Sequence, residues 1–530
     1  MFAPFVKAVE CIVGEKKRSQ ESNRRPLFKK SLFPQMPPSI IFYTKGTKVE
    51  EPPAEIKRRL KWSKDRLLPL VVRQTLATSH FKLVEKDDEW IGYWGGYFKS
   101  AQYRKFTNHQ KVNHFPGGYH IARKDNLWRH ILEKQKQFPN FEIMPYTFIL
   151  PDGRADLEQY LLGDEDRYVI VKPPASARGL GIMVTHDMGE IRKGDFVAQQ
   201  YIDNPLLIDG RKFDLRVYVY VPSLEPLRLY MYEEGLVRFA SVPYAHSADT
   251  TENLFMHLTN YSINKNAKSQ GMTDKSVRKW TLTQLWEKLD KYFEVDEIKA
   301  LIKDLIVKTF IACEKKFRDH ATNSIDNLGI CHELFGFDVL LDEDARPHLL
   351  EVNVTPAMHS DLPIDVSVKG PLVASVLSMA CIRPVTKNLD GHENMLDKAS
   401  LWAADEETIA KEEYYYERFK IYGETCGTML NRLTSTDVRI LCQFEDEFER
   451  RGQMKLIYPT ADTHPYLRYF DEVTYPNLLL QQWQIRQALV LNISVISVQG
   501  HKRKYGIEHL RTLILEGILD SGTPVEDAWN

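Results

Sequence analysis

Two carboxylates and an amide in the segment GFDVLLDEDARPHLLEVNVTP, residues 336–356, have the types and the spacing to hold one divalent ion. Apolar and polar residues alternate on both flanks, and Asp342 to Pro347 between them carry turn chemistry, so the segment reads as a symmetric antiparallel hairpin. With the turn centred between Asp344 and Ala345, Asp338 falls opposite Glu351. Asn353 shares the face of Glu351, and its cross-strand neighbour Gly336 leaves room beside it. Oxygen ligands without His or Cys suit Mg²⁺, which takes one or two carboxylates and completes its shell with water and nucleotide phosphates. The same residues also read as an ordinary hairpin with one solvated acid.

A second group of residues is cationic. KPPASARGLG, Lys172 to Gly181, is a loop between two strands with Lys172 and Arg178 as cations and Gly179 and Gly181 where backbone can approach a ligand. Such loops cradle phosphates, or are plain surface loops. Lys212-Phe213-Asp214 adds a cation at a strand start, and Gln199-Gln200-Tyr201-Ile202 is an extended segment whose backbone could read an adenine edge; each is also simple sheet sequence. Arg238 can grip a carboxylate bidentately, or stand as a surface cation on a strand. Combined, these features ask for a magnesium-bound triphosphate between two sheets. There is no GxxxxGK[ST], HRD, DFG or HExxH, so P-loop, protein-kinase and metalloprotease readings have no support. No Ser-His-Asp or Cys-His constellation has a recognisable context. An enzyme without a protein nucleophile can still make an amide bond from ATP: it phosphorylates a carboxylate and holds an amine against the acyl phosphate, relying on positioning and on cations.

Strands and helices must bring these groups together. A helix is expected over Lys57 to Thr78, then strands at FKLVE and EWIGYWGGYF, so a compact α/β unit begins near residue 60. A Phe-Pro-Gly-Gly turn precedes a helix opening near Arg123 to Asp125. Tyr168 to Val171 is a buried-type strand that delivers Lys172 to its end. From Phe213 the pattern alternates, with Phe213, Leu215, Val217, Val219 and Val221 on one face, and an antiparallel meander follows. Two helices come next, TLTQLWEKLDKYF and Glu297 to Phe317, the second with Asp296 as N-cap. Strands followed by helices argue an α+β architecture. Further on, a helix from Thr436 to Arg451 has Ser435 as N-cap and Gly452 after its end. The expected divisions are a basic, Pro-containing, poorly ordered leader (1–56), an N-terminal α/β subdomain (57–165), the region carrying the site (166–385), a helical extension (386–490) and an unassigned tail (491–530).

The 530 residues carry a net charge of −1 with ample apolar content for sizeable cores. Residues 1–70 hold 16 Lys and Arg against 7 Asp and Glu, so the rest of the chain is net acidic. Six cysteines lie far apart without a CxxC pair, which reads as reduced thiols rather than a disulfide scaffold or zinc site. No stretch approaches the roughly 20 apolar residues that span a bilayer, and Lys7 and Glu10 break any signal-like run. A cytoplasmic monomer with neither a nucleic-acid nor a membrane partner is expected.

The motifs KPPASARGLGI, QQYI, GRKFDLRVYVYV, GLVRFA, FMHLTNYSINK, CHELFGFDVLLDEDARPHLLEVNVTPAMHS, DVSVKG and NHFPGGYHIARKD resemble the tubulin tyrosine ligase-like family. Within it they are most similar to the polyglutamylase branch, in particular its chain-initiating members. The likeness covers about residues 60 to 385. It implies an ATP-grasp fold whose N-terminal, central and C-terminal subdomains grip ATP, here with the added helical region. It implies ATP contacts at Lys172, Arg178, Gly179, Gln199, Gln200, Tyr201, Ile202, Lys212, Phe213, Asp214, Thr259 and Asn260, and magnesium at Asp338, Glu351 and Asn353. For the incoming free L-glutamate it implies Arg238, Ser262, Lys279, Thr355 and Lys369. Lys172, Arg178, Arg238 and Glu351 become the expected catalytic residues. The implied activity joins the α-amine of glutamate to a γ-carboxylate in the acidic C-terminal tail of tubulin, in the cytoplasm on microtubules, with cilium or basal body as further sites. Lys111, Arg123, Lys124 and the basic N-terminus are candidate contacts for that tail, and the C-terminal helical region could help hold the polymer. Glycine or tyrosine as donor, a non-tubulin acceptor and an inactive microtubule-binding scaffold are the rival readings; the cations at Arg238, Lys279 and Lys369 favour an acidic donor.

Overall fold

The computed structural model describes residues 24–34, 36–85, 89–164, 167–175, 180–245, 254–259, 279–360, 362–384, 406–492, 503–516 and 525–526. Near the N-terminus, β1 (Lys61–Ser63), α1 (Leu70–Thr78), β2 (Lys82–Val84), β3 (Gly92–Tyr93) and β4 (Lys111–Val112) form a parallel sheet in the order β2-β1-β3-β4. The single helix expected over Lys57 to Thr78 is therefore corrected: it is a short helix, Ala54–Arg59, then β1, then α1. Trp62 is fully buried in β1, and Pro69, which has no N–H to extend a helix from upstream, starts α1 afresh. Residues 24–56, expected as part of a loose leader, contain the paired strands Phe28–Lys29 and Ser39–Ile40. Their apolar residues override the prolines: Leu27, Ile40 and Phe42 are buried, and Ile40 N–H donates to the Ile382 carbonyl at 2.9 Å.

Helix α2 (Lys124–Gln137) opens where the sequence places it. A second sheet follows, antiparallel, from β5 (Thr147–Leu150), β6 (Val169–Lys172), β7 (Met183–Thr185) and β8 (Phe196–Gln200) in the order β5-β8-β6-β7. Leu157 and Leu161 of α3 (Arg154–Leu162) close its small core against Phe148, Val171 and Ala198.

The largest sheet holds eight strands among the described residues, including Leu207–Ile208. Its axis is the long β9 (Arg211–Leu224), flanked by β10 (Leu227–Tyr232), β11 (Leu236–Phe239) with β12 (Lys279–Thr281), and β13 (Glu333–Leu341) with β14 (Pro347–Asn353). The alternation in β9 marks two buried faces, not a buried and a solvated one. Val217 and Val219 share a core with Ile306 and Phe310 of α5 (Val295–Ser324), which follows the short α4 (Leu282–Leu289). Tyr218 and Tyr220 share another with Leu372 and Val376 of α6 (Pro363–Met379), which packs on α1. In α5 the helix starts at the buried Val295 after Glu294, so Asp296 sits in its first turn, where it favours the helix dipole, instead of capping it.

After α7 (Glu406–Tyr422), α8 (Ser435–Glu449) is capped by Thr434, not Ser435, because Thr434 has a carboxylate three residues on: Asp437 N–H donates to Thr434 Oγ1 at 3.3 Å while Thr434 N–H donates back to Asp437 Oδ2 at 2.8 Å. The next strand, β15 (Met454–Tyr458), pairs with β10 and so completes the large sheet from the region expected to be a helical extension. Helices α9 (Tyr475–Asn492) and α10 (Arg503–Leu515) follow, with Leu510, Leu513 and Ile514 buried. Among the described residues no helix is long and apolar enough to cross a membrane. Cys313, Cys331, Cys381, Cys426 and Cys442 are free thiols.

Candidate functional site

The second and third sheets face each other across a cleft. Strand β6 ends on Lys172, β8 runs through Gln199 and Gln200 into Tyr201 and Ile202, and β9 begins with Lys212 and Asp214; all line the cleft. From the far side β11 adds Arg238, β13 adds Asp338 and Leu340, and β14 adds Leu350 and Glu351. Ile170, Leu180, Ile182 and Leu258 supply apolar wall.

The hairpin that carries the acids is not symmetric. Its tip pairs Leu341 with Pro347, Leu340 with His348 and Val339 with Leu349, which centres the turn on Asp344 and not between Asp344 and Ala345. Asp342 tightens the turn: its carboxylate accepts from the backbone N–H of Asp344 at 3.1 Å and of Arg346 at 2.8 Å and meets His348 Nε2 at 2.8 Å, while Ala345 takes a φ of 61°. A bulge at Leu350 then restores the expected register, so that Asp338 faces Glu351 and Gly336 faces Asn353. The bulge also sends two successive side chains, Leu350 and Glu351, into the cleft while Leu349 stays fully buried in the core. Gly336 is required here, since a Cβ on it would lie 2.9 Å from Pro356 Cβ and 3.1 Å from Arg216 Cδ.

Each acid has a cation on it. Arg216 grips Asp338 through Nε at 2.6 Å and Nη2 at 3.0 Å, and Arg238 adds Nη2 at 2.8 Å. Burial alone would raise the Asp338 carboxyl, but the two guanidiniums outweigh it and hold it well below the usual range. Glu351 Oε2 meets Lys124 Nζ at 2.9 Å, and Asn353 Nδ2 lies 3.3 Å from Glu351 Oε1 and 3.5 Å from Asp338 Oδ2. Opposite them, Lys172 donates to Gln199 Oε1 at 2.8 Å; Lys212 donates to Tyr201 Oη at 2.9 Å and sits 4.2 Å above that ring. Burial, reinforced by the neighbouring Lys124, pushes the Lys172 ammonium down to about 8; burial and Lys172 push Lys212 down to about 7.

This donor set fits a nucleotide with its metal. Among the described residues Lys172 and Lys212 rest on the neutral Gln199 and Tyr201, with no carboxylate in ion-pair contact, and phosphates would supply them counter-charge. Among the described residues no cluster of three or more His, Cys, Asp or Glu could hold a metal by itself, yet two carboxylates and an amide suffice for Mg²⁺, which keeps several water and phosphate ligands.

Several expected residues stand elsewhere than the sequence suggested. Phe213 points into the core, its ring 5.8 Å from that of Phe239, because the strand period puts it opposite Lys212 and Asp214. Arg238 is not an exposed strand cation: it is largely covered between Asp338 and Asp214, whose Oδ1 lies 2.6 Å from its Nε, and Asp214 also accepts from Thr259 Oγ1 at 2.7 Å. Lys279 faces Arg238 across β11 and β12, and Asp365 ties it to Lys369, with both ammoniums at 2.9 Å. Thr355 is exposed just past β14. Arg178, Gly179, Asn260 and Ser262 lie outside the described residues.

Of the candidate contacts for an acidic tail, Lys124 is buried on Glu351, Lys111 donates to the Gly329 carbonyl, and the half-exposed Arg123 pairs with Asp125 at 2.9 Å. The acidic run of α8 does not face a polymer: Glu445, Asp446 and Glu447 are buried. Arg216 and Asp365 were not singled out in the sequence. The signal for Arg216 was present, since it shares the strand face of Asp214.

A family model described as the tubulin-tyrosine ligase family matches residues 101–390. The chain is 48% identical to the tubulin polyglutamylase ttll-4 of Caenorhabditis elegans over 487 residues, 91% of this chain and 81% of that one. It is 40% identical to the tubulin monoglutamylase TTLL4 of Homo sapiens, across 93% of this chain and 42% of the human protein. With the tubulin polyglutamylase TTLL5 of Mus musculus it shares 33% identity over 81% of its length and 35% of the mouse protein.

Proposed function

Belonging to the tubulin-tyrosine ligase family, the chain is an ATP-dependent ligase that glutamylates tubulin, and we propose that it joins the α-amine of free L-glutamate to the γ-carboxylate of a glutamate in the tubulin tail through an acyl phosphate. The observation that carries this reading is the meeting of Lys172 and Lys212 with Asp338 and Glu351 in one cleft between two antiparallel sheets, the arrangement an ATP-grasp fold requires. Lys172 and Lys212 hold the phosphate chain and offset the charge that moves during transfer; desolvation makes each contact stronger than it would be in water. Asp338, Glu351 and Asn353 hold Mg²⁺, which when bound neutralises phosphate oxygens. The apolar wall with the Gln199 to Ile202 backbone takes the base.

Arg238, Lys279 and Lys369 face the donor. Asp214, Asp338 and Asp365 pair with these cations, and the two carboxylates of an incoming glutamate exchange with them. Glycine would leave one such cation without a carboxylate. The chain acts in the cytoplasm on microtubules, at cilia or basal bodies among other sites, and as a monomer.

The test is incorporation of isotopically labelled L-glutamate into tubulin with ATP and magnesium, read by tandem mass spectrometry. Glu351→Gln should lose at least about 100-fold in rate, the usual effect of removing one electrostatic contact to a transition state, with an unchanged circular dichroism spectrum. Parent-like turnover by that variant overturns the metal assignment. Incorporation of labelled glycine and no glutamate overturns the donor.

A further inference from the structure

Lys212 is 6% exposed and, among the described residues, in ion-pair contact with no carboxylate; it donates to Tyr201 Oη at 2.9 Å. An ammonium only donates, so the phenol oxygen is the acceptor and has to place its own proton elsewhere. His257 Nδ1 lies 2.7 Å from that oxygen, with the two rings inclined at 79°. A bare Nδ1 takes the phenol proton, which leaves a neutral His257 carrying its own proton on Nε2. His257 is buried at the border of the cleft, and the sequence did not single it out.

Tyr244 completes the surround. Its hydroxyl donates to the Asp203 carbonyl at 2.8 Å, and its ring lies 5.7 Å from the Lys212 ammonium and 6.1 Å from the His257 ring. The charged groups that face Lys212 are Lys172 from β6, Asp214 from its own strand and Asp203 from the segment after β8. Asp214 is taken by Arg238 and Thr259. Lys172 is served in the same way as Lys212: Gln199 Oε1 accepts from it at 2.8 Å, while the Gln199 amide nitrogen donates to Thr147 Oγ1 at 3.2 Å. Each lysine thus meets a neutral oxygen whose direction is set by a further hydrogen bond. A carboxylate in that place would hold the ammonium more tightly, but it would cancel the charge before a phosphate arrived; a neutral acceptor directs without cancelling.

We propose that His257 and Tyr201 are positioning residues for phosphate: His257 takes the Tyr201 proton, and the phenol oxygen holds the Lys212 ammonium at the nucleotide phosphates without neutralising it. The Tyr201 side chain therefore has a task besides the backbone contact to the base, and His257 acts through Tyr201. The inference rests on the ligase reading in one respect, that Lys212 serves phosphates. The phenol oxygen favours the charged lysine, against the burial and the Lys172 charge that push it down to about 7. Removing that oxygen lowers the charged fraction further, and the loss is felt where Lys212 titrates.

The experiment measures binding of a non-hydrolysable ATP analogue with magnesium to the full chain by calorimetry from about pH 6 to 8, in a double-mutant cycle of Tyr201→Phe with His257→Leu. Tyr201→Phe keeps the ring and removes the oxygen. It should bind about tenfold more weakly near pH 8, the size of one hydrogen bond to a charged group, and the deficit should shrink to about twofold at pH 6. His257→Leu should weaken binding in the parent and add little in the Tyr201→Phe background. His257→Asn, whose side-chain oxygen takes the place of Nδ1, should recover most of that loss. A Tyr201→Phe deficit that does not change with pH shows a merely structural role and overturns the proposal; so does a His257→Leu loss of equal size in both backgrounds. Where His257→Leu does not fold, the pH dependence of Tyr201→Phe decides. A parent that binds the analogue yet incorporates no amino acid into tubulin overturns the ligase reading, and the cycle still decides this proposal on binding alone. A parent that does not bind the analogue overturns both.

Discussion

Lys172 and Lys212 make nucleotide binding depend on pH. Burial pushes their ammoniums down to about 8 and about 7, whereas an unfolded lysine keeps its proton to about pH 10.4. Between about pH 7 and 10 the unfolded chain thus binds more protons, and without nucleotide these two groups make the fold more stable as pH rises. Phosphates in the cleft favour the charged amines, so binding takes up protons in that same window. ATP affinity should therefore fall between about pH 7 and 9, with proton uptake visible as a difference in calorimetric heat between two buffers; a dissociation constant flat across that range would contradict the assignment. The sequence disclosed these lysines by their place at strand ends. It did not disclose that Lys124 would be buried against Glu351, or that Arg216 would clamp Asp338, because those contacts join residues more than 100 positions apart, and local pattern does not reach across sheets.

At the scale of the element, the hairpin was legible where it mattered and wrong at its tip. Alternation of Asp338, Glu351 and Asn353 fixed their common face, yet the turn is one residue tighter and the bulge at Leu350 makes up the difference. A bulge leaves almost no mark in a single sequence, since any residue can occupy it. Its product is a leucine beside Glu351, the proposed metal ligand, facing the cleft. Leu350→Ala should raise the KM for ATP about tenfold through lost apolar contact with the base, worth roughly 1.5 kcal/mol, while kcat stays near the parent's; steady-state kinetics at varied ATP decide this, and an unchanged KM would mean that the base lies elsewhere. The helix misread over Lys57 to Thr78 has a comparable origin: its residues suit a helix one by one, and the burial of Trp62 in a parallel sheet overrides them.

Across the whole molecule, the C-terminal region is part of the body that carries the site. Arg228 of β10 and Glu447 of α8 form a bidentate pair with both side chains buried, and Trp483 Nε1 donates to Glu445 at 2.9 Å. The sequence shows three consecutive acids on α8, Glu445 to Glu447, without showing what they meet; the partners that bury them come from distant strands and helices. Glu447→Ala leaves a guanidinium buried alone, which should cost about 3–5 kcal/mol, measurable as a lower midpoint in urea unfolding. A loss under about 1 kcal/mol would show the pair to be solvated.

The strand β15 also governs the order in which the protein can be finished. Its partner β10 ends at Tyr232, but β15 ends only at Tyr458, so during synthesis the open edge of β10 waits for more than two hundred further residues to emerge. Over that interval an unpaired strand edge is a template for wrong pairing, and a nascent chain released early would carry every proposed metal ligand and lack the strand that closes the edge of β10.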